Sequence, residues 1–176
     1  FFFNYSVSTF IYLFLQIIYY VDDLMMLSCF TYTLCANVEN LTLIGTAEYG
    51  FGNSLNNTIL GNSSNNLLDG NNGDDFIDGG AGNDMLFGGG GTDIMVGGSG
   101  NDYYTIENDG DVAIESNDGG YDGVTASVSY VLDENIEYMN LAGTASINAS
   151  GNDLNNVIYG NSGNNRIDGG GGDDQL

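Results

Sequence analysis

Residues 79–96 read GGAGNDMLFGGGGTDIMV, two nine-residue units in the same phase. Cutting every nine residues from Gly52 extends the pattern through GNSLNNTIL, GNSSNNLLD and GNNGDDFID before this stretch, and GGSGNDYYT after it, to Thr105. The phase returns at Gly151 with GNDLNNVIY, GNSGNNRID and the shortened GGGGDDQL. In all nine units position one is Gly and position six is Asp or Asn. Position eight is large and apolar throughout: Ile59, Leu68, Ile77, Leu86, Met95, Tyr104, Ile158, Ile167 and Leu176. Three columns held in phase mark a repeat architecture rather than low complexity.

A longer repeat encloses the short one. YTLCANVENLTLIGTAEYGFGNSLNN (32–57) matches YVLDENIEYMNLAGTASINASGNDLNN (130–156), and Gly52 recurs as Gly151, a period of 99 residues (151 − 52). Five segments follow: an apolar stretch (1–28), a strand segment (29–51), a first nonapeptide tract (52–105), a connecting strand segment (106–150) and a second tract (151–176). In the connecting segment, Val124, Ala126, Val128, Tyr130 and Leu132 alternate with Thr125, Ser127 and Ser129, which predicts a half-buried strand.

Charge narrows the function. The chain carries 24 acidic residues, one basic residue (Arg166) and no histidine, for a net charge of −23. Such a chain repels itself when compact, so it needs cations or stays expanded. Nucleic acid and anionic membrane surfaces are poor partners for such a charge, and no nucleic-acid binding is expected. The absence of His and Lys removes most acid–base and nucleophile chemistry. No HExxH or GxSxG motif is present, and a non-catalytic module is expected.

The nonapeptide suits a hard cation. Glycines at positions one, two and four permit tight turns that aim carbonyl oxygens at one point. The position-six Asp adds a carboxylate. Oxygen ligands, flexible geometry and high negative charge favour Ca²⁺, whereas Mg²⁺ demands stricter octahedral geometry. The candidate carboxylate ligands are Asp75, Asp84, Asp93, Asp102 and Asp174. The candidate turn residues are Gly70, Asn72, Gly79, Gly80, Ala81, Gly82, Gly88, Gly89, Gly90, Gly91, Gly97, Gly98 and Gly100. One turn supplies about half of the six to eight oxygens calcium takes. If two units form one coil, each unit stacks on the next but one, about 4.8 Å away. That arrangement pairs Asp75 with Asp93 on one edge and Asp84 with Asp102 on the other, for several ions in all. Asn57, Asn66, Asn156 and Asn165 replace the carboxylate, so their turns should bind weakly or not at all. Leu55, Ser64 and Leu154 at position four disfavour the glycine turn there.

These units resemble the GGxGxDxUx nonapeptides of the RTX, or haemolysin-type calcium-binding, family. GGAGNDMLF and GGGGTDIMV match at every defined position, and GGSGNDYYT differs only in its Tyr at position eight. The segments between tracts also resemble those that separate such repeats. The resemblance implies an all-β fold, a right-handed parallel β-roll or β-solenoid that is disordered without calcium and folds with it. It also implies type I secretion, an extracellular or cell-surface location, and further domains in a longer parent chain. The module could instead be the non-catalytic repeat region of a secreted enzyme, or of an adhesin or toxin.

Residues 1–28 stand apart. FFFNYSVSTFIYLFLQIIYYV has no charge over 21 residues, long enough to span a membrane, but polar residues dilute it and no basic flank orients it. Membrane contact is thus confined to 1–21. A junctional origin is the first expectation and an anchor the second, with helix and disorder both open. The following YVDD resembles the reverse-transcriptase box in which Asp22 and Asp23 would hold Mg²⁺, without the palm domain that box requires. Cys29 and Cys35 read as incidental thiols. Asp69, Asp78 and Asp168 at position nine read as solvent-facing strand residues. Tyr103, Tyr104, Tyr121, Tyr130 and Tyr138 read as cover for a thin core rather than a sugar-binding face.

Overall fold

The computed structural model describes residues 25–28, 30–117 and 119–176. The apolar start, the YVDD box and Cys29 lie outside the described residues. Positions seven to nine form the strands: three residues long at Thr58–Leu60, Leu67–Asp69, Met85–Phe87 and Val157–Tyr159, and extended through the following glycines at Phe76–Ala81 and Ile94–Ser99. Among the described residues every strand pairing is parallel and no helix occurs. No helix of the described residues is long and apolar enough to cross a membrane.

The strands alternate between two sheets. The six-stranded sheet runs Met25–Ser28, Asn40–Leu43, Thr58–Leu60, Phe76–Ala81, Ile94–Ser99, Val112–Ile114. The eight-stranded sheet takes the intervening strands from Tyr32–Thr33 to Val157–Tyr159. Three short strands, Tyr130–Val131, Ala149–Ser150 and Ile167–Asp168, form a third sheet. The chain is therefore a parallel β-solenoid in which each nonapeptide stacks on the next but one, as the repeat predicts.

The position-eight column is the core. On one sheet Leu41, Ile59, Ile77, Met95 and Ala113 stack in register, and on the other Leu68, Leu86, Tyr104, Val124, Met139 and Ile158. All are fully buried. Each large aliphatic side chain taken from water contributes about 1.5–3 kcal/mol. The long alternating run 124–132 is not one strand. It divides into Gly123–Ala126 in the eight-stranded sheet and Tyr130–Val131 in the three-stranded sheet. The coil turns a corner between them, and the alternation survives because Val128 packs against the core there and Leu132 is buried beyond it.

Polar ladders hold the turns. At position five the side-chain oxygen of one coil accepts the backbone N–H of the next: Asn56 from Asp74 (2.9 Å), Asp74 from Thr92 (2.9 Å), Asn65 from Asn83 (2.8 Å) and Asn83 from Asn101 (2.8 Å). The turn backbones also stack, with Gly80 opposite Gly98, Ala81 opposite Ser99, and Asn72 bridged to Gly90.

Candidate calcium-binding edges

Position six forms two columns, one along each edge of the solenoid. On the first, the Asn57 N–H donates to Asp75 Oδ1 (2.6 Å), Asp75 to Asp93 Oδ1 (2.8 Å) and Asp93 to Asp111 Oδ1 (3.1 Å). On the second, Asn66 donates to Asp84 Oδ1 (2.7 Å), Asp84 to Asp102 Oδ1 (2.7 Å) and Asp102 to Asp122 Oδ1 (2.7 Å). The structure thus brings together both expected pairs. In the second tract Asn156 donates to Asp174 Oδ1 (2.9 Å), and Asp174 is half-buried.

Each of these carboxylates uses one oxygen for the ladder. The Oδ2 atoms of Asp75, Asp84, Asp93, Asp102 and Asp122 are buried with no partner. An unpaired buried carboxylate oxygen is costly and calls for a counter-charge. Position-one glycines leave the adjoining space open. A Cβ on Gly79 would sit 2.9 Å from the Gly97 carbonyl and against Asp84 Oδ2; Gly70 stands likewise toward Gly88 and Asp75. Carboxylate and carbonyl oxygens therefore converge where only glycine fits.

Burial drives the proton affinities upward. Asp75 is pushed from 3.8 to about 7, by burial first and then by repulsion from Asp93 and Asp74, against the lowering effect of the Asn57 N–H. Burial raises Asp102 and Asp122 to about 6. Asp84 and Asp93 move the same way for the same reason. The described residues contain one salt bridge, between exposed Arg166 and Asp168 at 3.7 Å, and neither residue stands at position six. The columns have no protein cation to neutralise them.

The asparagine turns differ in backbone as well as charge. Asn66 Oδ1 accepts the N–H of Asn62 in its own turn (2.8 Å), and its amide donates to the Ala47 carbonyl (3.0 Å). Asn57, Asn156 and Asn165 make the same two kinds of bond. These turns satisfy themselves. In the aspartate turns, positions two and four are left-handed: Asn71 (φ 72) with Gly73 (113), Gly80 (93) with Gly82 (123), Gly89 (90) with Gly91 (141), Gly98 (105) with Gly100 (127) and Gly170 (88) with Gly172 (95). None of Asn53, Asn62, Asn152, Asn161, Leu55, Ser64, Leu154 and Gly163 is left-handed. The left-handed turn thus goes with a position-two N–H that does not bond the position-six carboxylate, and in Asp75, Asp84, Asp93 and Asp102 the Oδ2 is left without a partner.

Sequence reasoning missed three acids. Asp111 lies nine residues after Asp102 (111 − 102), so the spacing could have revealed it. Ile106 in place of glycine and Ala113 at position eight hid the phase. Asp122 joins its column across a step of 20 rather than 18 residues, and Glu115 stands at a position-one site. Of the position-nine acids, read as solvent-facing, Asp168 is exposed, whereas Asp69 and Asp78 are half-buried and Asp69 Oδ1 accepts the Asn71 N–H (2.9 Å).

A family model for the RTX calcium-binding nonapeptide repeat, present in 4 copies, matches residues 51–86, 72–104 and 150–176. No curated protein and no solved structure matches the chain. Through these two tracts, with their stacked turns and paired acidic columns, the chain belongs to the RTX calcium-binding nonapeptide repeat family.

Proposed function

We propose that this chain is a calcium-folded structural module of a secreted or cell-surface protein. Ions are shared between stacked turns, by Asp75 with Asp93 and by Asp84 with Asp102, with carbonyls of the turns at 70–72, 79–82, 88–91 and 97–100. Asp174 supplies a further carboxylate in the second tract. The reading rests on one contrast: the aspartate turns of the first tract, at Asp75, Asp84, Asp93 and Asp102, keep an orphaned oxygen, whereas asparagine turns bond themselves. Calcium neutralises the columns, so its binding energy becomes folding energy. Extracellular calcium modules bind at about 10⁻⁴–10⁻³ M, which leaves such a chain unfolded inside a cell and folds it outside. Within a longer protein, the 99-residue period favours a repetitive surface protein over an appendage of a compact enzyme. The test is circular dichroism and calorimetry of the chain in chelator and in millimolar calcium. The expected result is a gain of β structure with several ions bound; equal spectra and no heat of binding would refute the proposal.

A further inference from the structure

The two edges end differently. The repeat frame places Ile106 at the position-one site stacked 18 residues beyond Gly88 (106 − 88), and Glu115 at the one stacked 18 beyond Gly97 (115 − 97). Ile106 is fully buried. On its edge the last carboxylate, Asp111, also spends its second oxygen, accepting the N–H groups of Glu107 (3.1 Å) and Asn108 (2.9 Å). That column closes on protein donors alone.

The other edge closes on a third carboxylate. Glu115 turns inward, and its carboxylate lies with those of Asp102 and Asp122 so that one oxygen of each falls within 4.8 Å of the others. All three residues are buried, Asp122 fully. The Oδ2 atoms of Asp102 and Asp122 have no partner. Glu115 is held in place from two sides: the Tyr104 hydroxyl donates to its Oε1 and the Ser116 N–H to its Oε2 (3.2 Å). Two glycines leave the space open. A Cβ on Gly97 would meet Asp102 Oδ2, Glu115 Oε1 and the Tyr104 hydroxyl, and one on Gly119 would lie 2.7 Å from Glu115 Oε2 and 3.3 Å from Asp122 Oδ2. The two-residue insertion before Asp122 gives the chain the slack to bring Glu115 in.

We propose that Asp102, Glu115 and Asp122 form a separate three-carboxylate site for a hard divalent cation, Ca²⁺ foremost, joining the first tract to the connecting segment. It shares Asp102 with the column described above, and rests on that reading only for the identity of the ion. Each expected pair within the tract offers two carboxylates; this site offers three. Affinity in oxygen-ligand calcium sites rises with carboxylate charge and rigidity, so the junction binds ahead of the tract. It fixes the last turn of the nonapeptide run, the place where the glycine phase is lost.

The test compares calcium isotherms, by calorimetry, of the full chain, Glu115→Gln and Asp75→Asn. Glu115→Gln keeps the side-chain shape and an oxygen for Tyr104 but removes the charge. The expected result is loss, or about tenfold or greater weakening, of the tightest step in Glu115→Gln alone. Asp75→Asn, on the other edge, should keep that step and lose a weaker one. Circular dichroism at saturating calcium verifies that both variants fold. An isotherm for Glu115→Gln that superimposes on the parent overturns the junction site while leaving the repeat sites standing. Uniform weakening of every step would also overturn it, since the site would then not be separate. Absence of calcium binding by the parent chain would overturn both readings.

Discussion

Asp75→Asn should make the calcium-free protein more stable, although it removes a residue of the calcium-binding pattern. Asp75 is buried, and its Oδ2 has no partner. Its folded-state pKa is raised from 3.8 to about 7. The folded state therefore binds this proton more tightly than the unfolded state. Above about pH 7 the group is ionised in both states, and the full penalty weighs against folding. As pH falls from 7 toward 4 the folded state takes up the proton first, and the penalty fades. At about 1.4 kcal/mol per unit, the shift amounts to roughly 4 kcal/mol at pH 8 and below about 2 kcal/mol at pH 5. The substitution also turns the unit GNNGDDFID (70–78) into a close match for GNSGNNRID (160–168), whose Asn165 accepts the Asn161 N–H at 2.9 Å in a self-bonded turn. Asn71 can adopt that conformation, which adds about 1 kcal/mol per new hydrogen bond. The assay is folding in chelator driven by trimethylamine N-oxide, which favours burial, followed by circular dichroism at pH 8 and pH 5. The variant should fold at a lower osmolyte concentration than the parent at pH 8, with a smaller advantage at pH 5. In millimolar calcium the order should reverse. A variant that needs as much osmolyte as the parent at pH 8, or an advantage independent of pH, would refute the reasoning.

The converse change, Asn66→Asp, removes the bond to the Ala47 carbonyl (3.0 Å) and buries a charge beside Asp84. It should cost about 3 kcal/mol in chelator and add calcium uptake, read by the same osmolyte titration and by calorimetry. Met95→Ala empties a fully buried position stacked between Ile77 and Ala113. It should lower stability in calcium by about 2–4 kcal/mol without changing ion stoichiometry, as thermal melts and calorimetry will show. Gly89→Ala combines a left-handed backbone (φ 90) with a Cβ driven into the Asn71 carbonyl, whereas Gly143→Ala (φ 72) places its Cβ in open space. Both should lose about 1 kcal/mol to backbone strain, and Gly89→Ala measurably more, in urea titrations with calcium present.

Much of this molecule is legible in its sequence because one period governs it. A nine-residue repeat with a fixed apolar position eight dictates two inward columns, and stacking of every second unit then places Asp75 on Asp93 and Asp84 on Asp102. The same frame separates open from closed turns, since glycine at position four and aspartate at position six occur together in the left-handed set. Legibility fails where the period does. The alternation at 124–132 reads as one strand because a corner residue that packs inward, Val128, keeps the polar–apolar rhythm of a straight one. Asp111 keeps the spacing but loses its glycine, and Asp122 loses the spacing too, through two inserted residues. Glu115 shows why phase alone is insufficient. At a position where the repeat demands glycine, a glutamate reads as decay of the motif. In three dimensions that position faces the Gly97 cradle, so the same substitution delivers a carboxylate onto two orphaned ones. Loss of consensus at the end of a repeat can therefore be a gain of ligand, and its sign is set by whether the intruding side chain is apolar, as at Ile106, or anionic, as at Glu115.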